Sequence, residues 1–317
     1  MASDPLLYHY CSTTLESEFP LPALHSATAV SGEVIRVRHG ATCPEGTQWS
    51  HHWRDGDDVV LSLARHGSDY WLRFPDLADF QLQMNPNLIV VAANASADDN
   101  TLEHLLVDQV LPRFLSHKEH LMAHASAVTL VGRHALFLGP SGWGKSTLAG
   151  LLQRDGHAIH SDDCVQLRIS NGRCEALPTY PSLRLYSDSV EALFPAIPTI
   201  SRVASYTEKL RISRNLDESA SGPVPVDRIF LLGNPSEGGA EPSISQLTPS
   251  QAIQALIAHS FRLDLGDRGG NAGHFARCAA VVNAVPAFRL DYRRDFDQST
   301  GLLNAILLHV SQLPASS

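Results

Sequence analysis

The stretch ALFLGPSGWGKSTLAGLL, residues 135–152, decides the fold of this chain. Between Gly139 and Ser146 it has a glycine, four residues and then Gly-Lys-Ser, which is the phosphate-binding loop pattern. The apolar run Ala135 to Leu138 predicts a buried parallel strand, and Ser146 to Leu152 predicts a helix. That order of strand, loop and helix is the context the motif requires, so the sequence predicts a nucleotide-binding α/β domain.

Each residue type in the loop has a physical role, because a polyphosphate needs many donors and close approach. Gly142 and Gly144 leave the backbone accessible, and the N–H groups at the helix N-terminus favour anions. Lys145 is expected to reach the β- and γ-phosphates and Ser146 to ligate Mg²⁺. The alternative is a glycine-rich turn without a ligand. The predicted nucleotide contacts are Gly139, Pro140, Ser141, Gly142, Trp143, Gly144, Lys145, Ser146 and Thr147.

Composition narrows the class of protein further. The chain has 317 residues and a formal net charge of -9, without a run of basic residues. A nucleic-acid backbone is therefore not the expected partner. The five cysteines have no metal-site spacing, and no signal segment or membrane span is evident. We expect a cytoplasmic protein with no membrane partner.

The residue pattern changes once along the chain. Residues 1–97 carry short strand-like runs separated by turn residues, which predicts a small β-rich domain. Its proposed task is recognition of the acceptor. From Thr101 the apolar spacing becomes helical, and the linker is placed at Asp98 to Asn100. Residues 98–317 are predicted to form the phosphate-loop domain.

Two neighbouring carboxylates form a second constellation. Asp162 and Asp163 follow the strand-like run Ala158 to Ser161, sixteen residues beyond Ser146. That strand is expected beside the loop strand in a parallel sheet, whose carboxyl edge is where α/β proteins bind ligands. One carboxylate can then face Mg²⁺ and the other an attacking hydroxyl. The alternative is that the pair only caps the following turn.

His124 begins a predicted strand next to the loop strand. It is expected to reach a phosphate or to orient Asp162, although a lone histidine is more often structural. A second glycine-rich stretch, Gly266 to Gly273, lacks a preceding strand and a following lysine. It is therefore interpreted as a flexible connection before a helix.

Three motifs in this order resemble the C-terminal domain of HPr kinase/phosphorylase, and more closely the HPr-kinase-related proteins of bacterial lasso-peptide biosynthesis clusters. They are His124 to Val128, the loop Gly139 to Leu152, and Ser161 to Asp163. The resemblance spans about residues 100–310. It implies a phosphate-loop α/β domain related to phosphoenolpyruvate carboxykinase, and phosphoryl transfer from ATP to a serine.

The resemblance also implies residue roles. Asp162 would be the general base, Asp163 and Ser146 would hold Mg²⁺, Lys145 would hold phosphates, and His124 would line the phosphate site. The segment Thr207 to Arg211 resembles a lysine-containing stretch of these relatives, which implies Lys209 and Arg211 as contacts to the acceptor or to phosphates. Its alternative is a solvated charged strand.

The chain departs from the bifunctional enzymes, because it lacks their Gly-Leu-Gly signature for phosphorolysis. The resemblance therefore favours a serine kinase acting on a peptide or protein, specifically on the C-terminal serine of a lasso-peptide precursor, in a homo-oligomer. Three alternatives stay open: a kinase of free serine or another small hydroxyl compound, a nucleoside triphosphatase, and a nucleotide-sensing binding module. The residues do not decide between ATP and GTP.

Overall fold

The computed structural model describes residues 5–180, 182–196, 200–212, 222–239 and 241–312. The chain forms two compact units. One comprises Met1–Lys118, Arg202–Glu208 and Arg262–Gly266, and the other Glu119–Ser201, Lys209–Phe261 and Asp267–Ser317. None of the helices in the described ranges combines the length and apolar character that a membrane crossing needs.

The first unit is built on one eight-stranded sheet. Its strands run in the spatial order β1-β2-β3-β8-β7-β6-β5-β4, with parallel pairs β2–β3 and β3–β8. Tyr70, Leu72 and Phe74 share one face of β6 and are buried, and Trp71 on the opposite face is buried as well. The strands are β1 Leu6–Tyr10, β2 Thr13–Ser17, β3 Glu33–His39, β4 His51–Asp55, β5 Asp58–His66, β6 Asp69–Phe74, β7 Ala78–Gln83 and β8 Leu88–Ala93.

A helical segment follows that sheet. It begins at Asp98, whose carboxylate accepts the backbone N–H of Thr101 at 2.8 Å and caps the first turn. The helix α1 Asp99–His104 continues through a π-helical stretch, Leu105–Val110, into α2 Leu111–His117. The helical pattern predicted from Thr101 is therefore present, with one change of winding in its middle.

The second unit contains a six-stranded mixed sheet, in the order β12-β10-β11-β19-β21-β20, and smaller sheets of four and three strands. Its first elements are β9 Leu121–Ala123, β10 Ala125–Leu130, β11 Arg133–Leu138, α3 Lys145–Arg154, β12 Ala158–Ser161, β13 Val165–Ser170, β14 Arg173–Pro178, β15 Leu183–Leu185 and α4 Ser187–Leu193. The others are β16 Ile200–Arg202, β17 Leu210–Ile212, β18 Val224–Pro225, β19 Arg228–Leu232, β20 Ser243–Gln246, α5 Pro249–Ala258, α6 Arg268–Ala284, β21 Ala287–Asp291 and α7 Ser299–Ser311.

Both faces of the six-stranded sheet are covered, and β11 shows how. Ala135 and Phe137 belong to a core that includes Leu148 of α3, whereas Leu136 and Leu138 belong to a second core that includes Leu256 of α5. Successive side chains of a strand point to opposite faces, so a strand that is apolar at every position needs helices on both sides. The apolar run that predicted a buried strand has this physical basis.

Two expectations from the sequence are wrong. The strand β12 pairs antiparallel with β10, which itself pairs antiparallel with β11, so β12 lies one strand away from the loop strand. The position next to β11 is taken by β10, which forms an antiparallel hairpin with it. The glycine-rich stretch is also not a connection over its full length, because α6 begins at Arg268 after Asp267 as N-cap.

Candidate functional site

The loop after β11 leads directly into a helix, in the order that the sequence predicted. Gly144 is the N-cap residue of α3 and has a φ of 96°, and Gly142 has a φ of 79°. Both values lie in the left-handed region, where a side chain is unfavourable. The chain can therefore curl back so that the first N–H groups of α3 lack intrahelical partners, which is the geometry that favours a bound anion.

Lys145 lies across this loop and is only 4% exposed. Its Nζ donates to the carbonyl oxygens of Gly139 at 2.8 Å and Pro140 at 3.2 Å. Burial lowers the pKa of its ammonium group, and the negative charges of Asp163 and Asp162 oppose that shift. The ammonium group of Lys145 therefore interacts with the loop carbonyls through hydrogen bonds and with the two carboxylates through its charge.

Asp162 stands at the end of β12 and its side chain is fully buried, at 0% exposure. Ser126 Oγ on β10 donates to its carboxylate at 2.6 Å. Burial raises the pKa of Asp162 and the charge of Asp163 raises it further, whereas the hydroxyls of Ser126 and Ser146 act to lower it. The loop serine therefore lies close to the first carboxylate, although β12 and β11 are not neighbours.

Asp163 has a different environment. Its side chain is 16% exposed, and its carboxylate lies 3.4 Å from His124 Nε2 and 3.4 Å from Arg184 Nη1. Burial tends to raise its pKa, but the hydrogen bond from His124 and the charges of Lys209 and Arg184 outweigh burial and hold the pKa well below its usual range. This carboxyl group is therefore ionised at neutral pH.

The backbone at Asp163 adopts a φ of 73°, which is unfavourable for a residue with a side chain. Such a conformation costs on the order of 1–3 kcal/mol and persists only where surrounding contacts fix it. Ser161 Oγ supplies one such contact by donating to the carbonyl of Cys164 at 2.7 Å. Thr179 Oγ1 supplies another by donating to the same carbonyl at 3.0 Å. Two side-chain hydrogen bonds to the Cys164 carbonyl thus help to fix the turn that carries Asp162 and Asp163.

Cationic side chains adjoin the acidic pair. Arg184 on β15 and Arg211 on β17 are directly opposite each other in an antiparallel pair, and their exposed fractions are 2% and 5%. Lys209 is partly buried, and its Nζ lies 5.8 Å from the ring centroid of Tyr186. A buried guanidinium group needs acidic or hydrogen-bonding partners, and Asp163 is one of those of Arg184, at 3.4 Å.

The structure brings together most of the residues that the sequence singled out. His124, Lys145, Ser146 and the two aspartates share one site, and Arg211 is buried, unlike a residue of a solvated strand. The contact of His124 is with Asp163. Thr147 lies differently, because its hydroxyl is 3.4 Å from Ser189 Oγ on α4. Its predicted contact with the nucleotide has no support from this geometry.

His259 is a residue of this site that the sequence did not reveal. Its carbonyl accepts the N–H of His124 at 2.7 Å, and Ser260 forms a β-bridge with Ala123. Burial lowers the pKa of His259 to about 4, and the nearby charges of Lys145 and His124 act in the same direction. The imidazole is therefore neutral at pH 7. A lone histidine after a helix carries no motif, so only the fold could identify it.

Acid should destabilise the protein in part through His259. A histidine whose folded pKa is lowered stabilises the fold above its unfolded pKa of about 6.5, and that contribution is lost as the pH falls towards the folded value of about 4. We expect His259→Gln to lose less thermal stability than the wild type between pH 7.5 and pH 4.5. Differential scanning calorimetry at matched ionic strength measures this difference. His25→Gln is the control, and equal losses in all three proteins would contradict the prediction.

No family model matches the chain, and no curated protein matches it. Among solved structures, the HPr(Ser) kinase/phosphatase from Coxiella burnetii is similar at 13% identity, with a TM-score of 0.33, over 60% of this chain and 90% of that chain. At this level the similarity does not assign an activity.

Proposed function

We propose that the protein is a kinase that transfers the γ-phosphoryl group of ATP to the hydroxyl of a serine in a peptide or protein. One observation carries this proposal: Lys145 and Ser146 of the glycine-rich loop adjoin the buried Asp162 and the partly buried Asp163. A loop suited to phosphates and a carboxylate suited to a proton are the two parts that phosphoryl transfer to a hydroxyl requires.

The binding of the triphosphate rests on the loop and on the cations around it. Lys145 donates to two loop carbonyls in this structure, and a bound phosphate is a stronger acceptor for its ammonium group. Arg184 and Lys209 lie close enough to Asp163 to act on its charge, and Arg211 lies opposite Arg184 in the sheet. They supply positive charge where the transferred group and its acceptor would develop negative charge, which is the electrostatic contribution that most lowers such barriers.

The residues at the site also fit a divalent cation. Ser146 and Asp163 are the proposed ligands, and hydroxyl and carboxylate oxygens are the donors that Mg²⁺ prefers. No group of three or more histidine, cysteine or acidic side chains suited to a metal occurs in the described ranges, so phosphate and water oxygens would complete the coordination. Bound Mg²⁺ would neutralise negative charge on the phosphates.

Asp162 is the proposed general base, because its raised pKa gives it a higher proton affinity than its ionised neighbour. Its carboxylate accepts the hydroxyl of Ser126, and the hydroxyl of Ser146 lies near it. The remaining acceptor positions of the carboxylate would take the incoming hydroxyl. The serine oxygen then bonds to the γ-phosphorus, the bond to the β,γ-bridging oxygen breaks, ADP leaves, and the serine proton passes to Asp162.

The acceptor we favour is the C-terminal serine of a lasso-peptide precursor, on the strength of the motif resemblance in the sequence. The test is mass spectrometry after incubation of the full chain with Mg-ATP and three acceptors: such a peptide, HPr, and free serine. We expect one added phosphate on the terminal serine of the peptide. A peptide ending in alanine is the matched control. Phosphate release without any modified acceptor would favour the triphosphatase instead.

A further inference from the structure

The chain that follows β21 lies against the phosphate loop, at Gly142 and Gly144. The side chain of Arg294 donates to the carbonyl oxygen of Gly142. A Cβ placed on Gly144 would lie 3.3 Å from Tyr292 Oη and 3.3 Å from Arg294 Nε. Both side chains therefore border the two loop glycines that are closest to the N-terminus of α3.

Packing around Tyr292 fixes the backbone at the start of this segment. Tyr292 is buried, and the chain after β19 packs so closely that a Cβ on Gly238 would lie 2.3 Å from the carbonyl of Tyr292. Arg294 is an exposed residue, and its guanidinium donates to a loop carbonyl. Arg294 thus combines a fixed backbone with a side chain that can change partner.

The order of strands separates this segment from the reacting groups. The sheet runs β12-β10-β11-β19-β21, so the loop after β11 has the acidic pair of β12 on one side and the end of β21 on the other. The strands β11, β19 and β21 are parallel, and their carboxyl ends share one edge. A triphosphate whose γ-phosphate faces Asp162 therefore leaves its nucleoside on the side of Tyr292 and Arg294.

We propose that Tyr292 and Arg294 form the nucleoside side of the site, with the guanidinium of Arg294 stacked on the purine base. This inference rests on the proposed function, because it takes the orientation of the triphosphate from the reacting groups. A planar guanidinium stacks well on aromatic faces, and an ammonium group does so less well. On binding, Arg294 exchanges the Gly142 carbonyl for the base, and Tyr292 presents its hydroxyl beside it.

Isothermal titration of the full chain with Mg-ATP and with Mg-tripolyphosphate tests the proposal, since tripolyphosphate has no nucleoside. We expect Arg294→Ala to weaken ATP binding about tenfold and to leave tripolyphosphate binding within about twofold. Arg294→Lys should resemble Arg294→Ala. Arg293→Ala, at the neighbouring exposed arginine, should bind both ligands as the wild type does.

Three results would overturn the proposal. Equal weakening of ATP and tripolyphosphate would show that Arg294 only braces the loop, and no weakening of either would show that it does not contact the ligand. In both cases the proposed function stands as long as the wild-type protein binds ATP. If the wild type binds neither ATP nor tripolyphosphate, the proposed function fails and the nucleoside side fails with it.

Discussion

Replacement of Lys145 by methionine is expected to lower kcat/KM for phosphoryl transfer by about 10²–10³-fold, the usual effect of removing one donor to a developing charge. Lys145 is the only lysine in the loop, and its Nζ reaches the carbonyls of Gly139 and Pro140. Methionine keeps the length and apolar character of the side chain but cannot donate. The measurement is the initial rate of ADP release with the acceptor peptide over a range of ATP concentrations.

The same substitution should not unfold the protein. Burial lowers the pKa of Lys145, which means that the folded state disfavours its charge. An uncharged side chain of similar size therefore costs little stability, and we expect the melting temperature of Lys145→Met to equal or exceed that of the wild type. Lys118→Met is the control, because Lys118 lies beside Glu33 in the other unit. Wild-type kinetics in Lys145→Met would remove the loop from the proposed mechanism.

Local sequence predicted the centre of the site well. The four apolar residues before Gly139, the glycines of the loop and the helix after it are neighbours in sequence, and their structure follows from short-range preferences. The acidic pair after Ala158 to Ser161 was also recognisable, because it follows the phosphate loop and stands at the carboxyl end of a predicted strand, where α/β proteins bind ligands. These features follow from the spacing of apolar residues and from the positions of turn-forming residues, both of which are visible in a single sequence.

Long-range pairing could not be predicted in the same way. Arg184 reaches Asp163 because β15 pairs with β17 and places it there, and His259 reaches the site through the bridge between Ala123 and Ser260. Neither residue stands in a motif. The position of β12 was predicted incorrectly for a related reason, since the apolar pattern of a strand identifies a buried strand but not its neighbour.

Two carboxylates with opposite shifts of pKa allow the assignment of roles to be tested. Asp162 is buried with a raised pKa, and Asp163 is ionised beside His124 and Arg184. A general base accelerates a reaction by its proton affinity and position, whereas a carboxyl group that ligates Mg²⁺ does so in its ionised form. The motif resemblance implies Asp162 as the base, and the proposed mechanism keeps that role because its pKa is the one that is raised.

Replacement of Asp162 by asparagine should therefore lower kcat by about 10²–10⁴-fold while the Kd for Mg-ATP changes little. Asparagine keeps the shape of the side chain and can still accept from Ser126, so the fold should survive. Asp163→Asn should instead weaken the binding of Mg²⁺ and so raise the cation concentration needed for half-maximal rate. Single-turnover rates and titration of Mg²⁺ measure the two effects.

Ser126→Ala is the matched control, because it removes one hydrogen bond to Asp162 and keeps the carboxylate. We expect it to retain most of the activity, since the hydrogen bond from Ser126 lowers the pKa of Asp162, and its loss raises the proton affinity of the base and removes a competing donor. If Asp163→Asn abolished transfer at saturating Mg²⁺ while Asp162→Asn remained active, the base would be Asp163. The exposed fraction of Asp163, 16% against 0% for Asp162, makes that the specific result to look for.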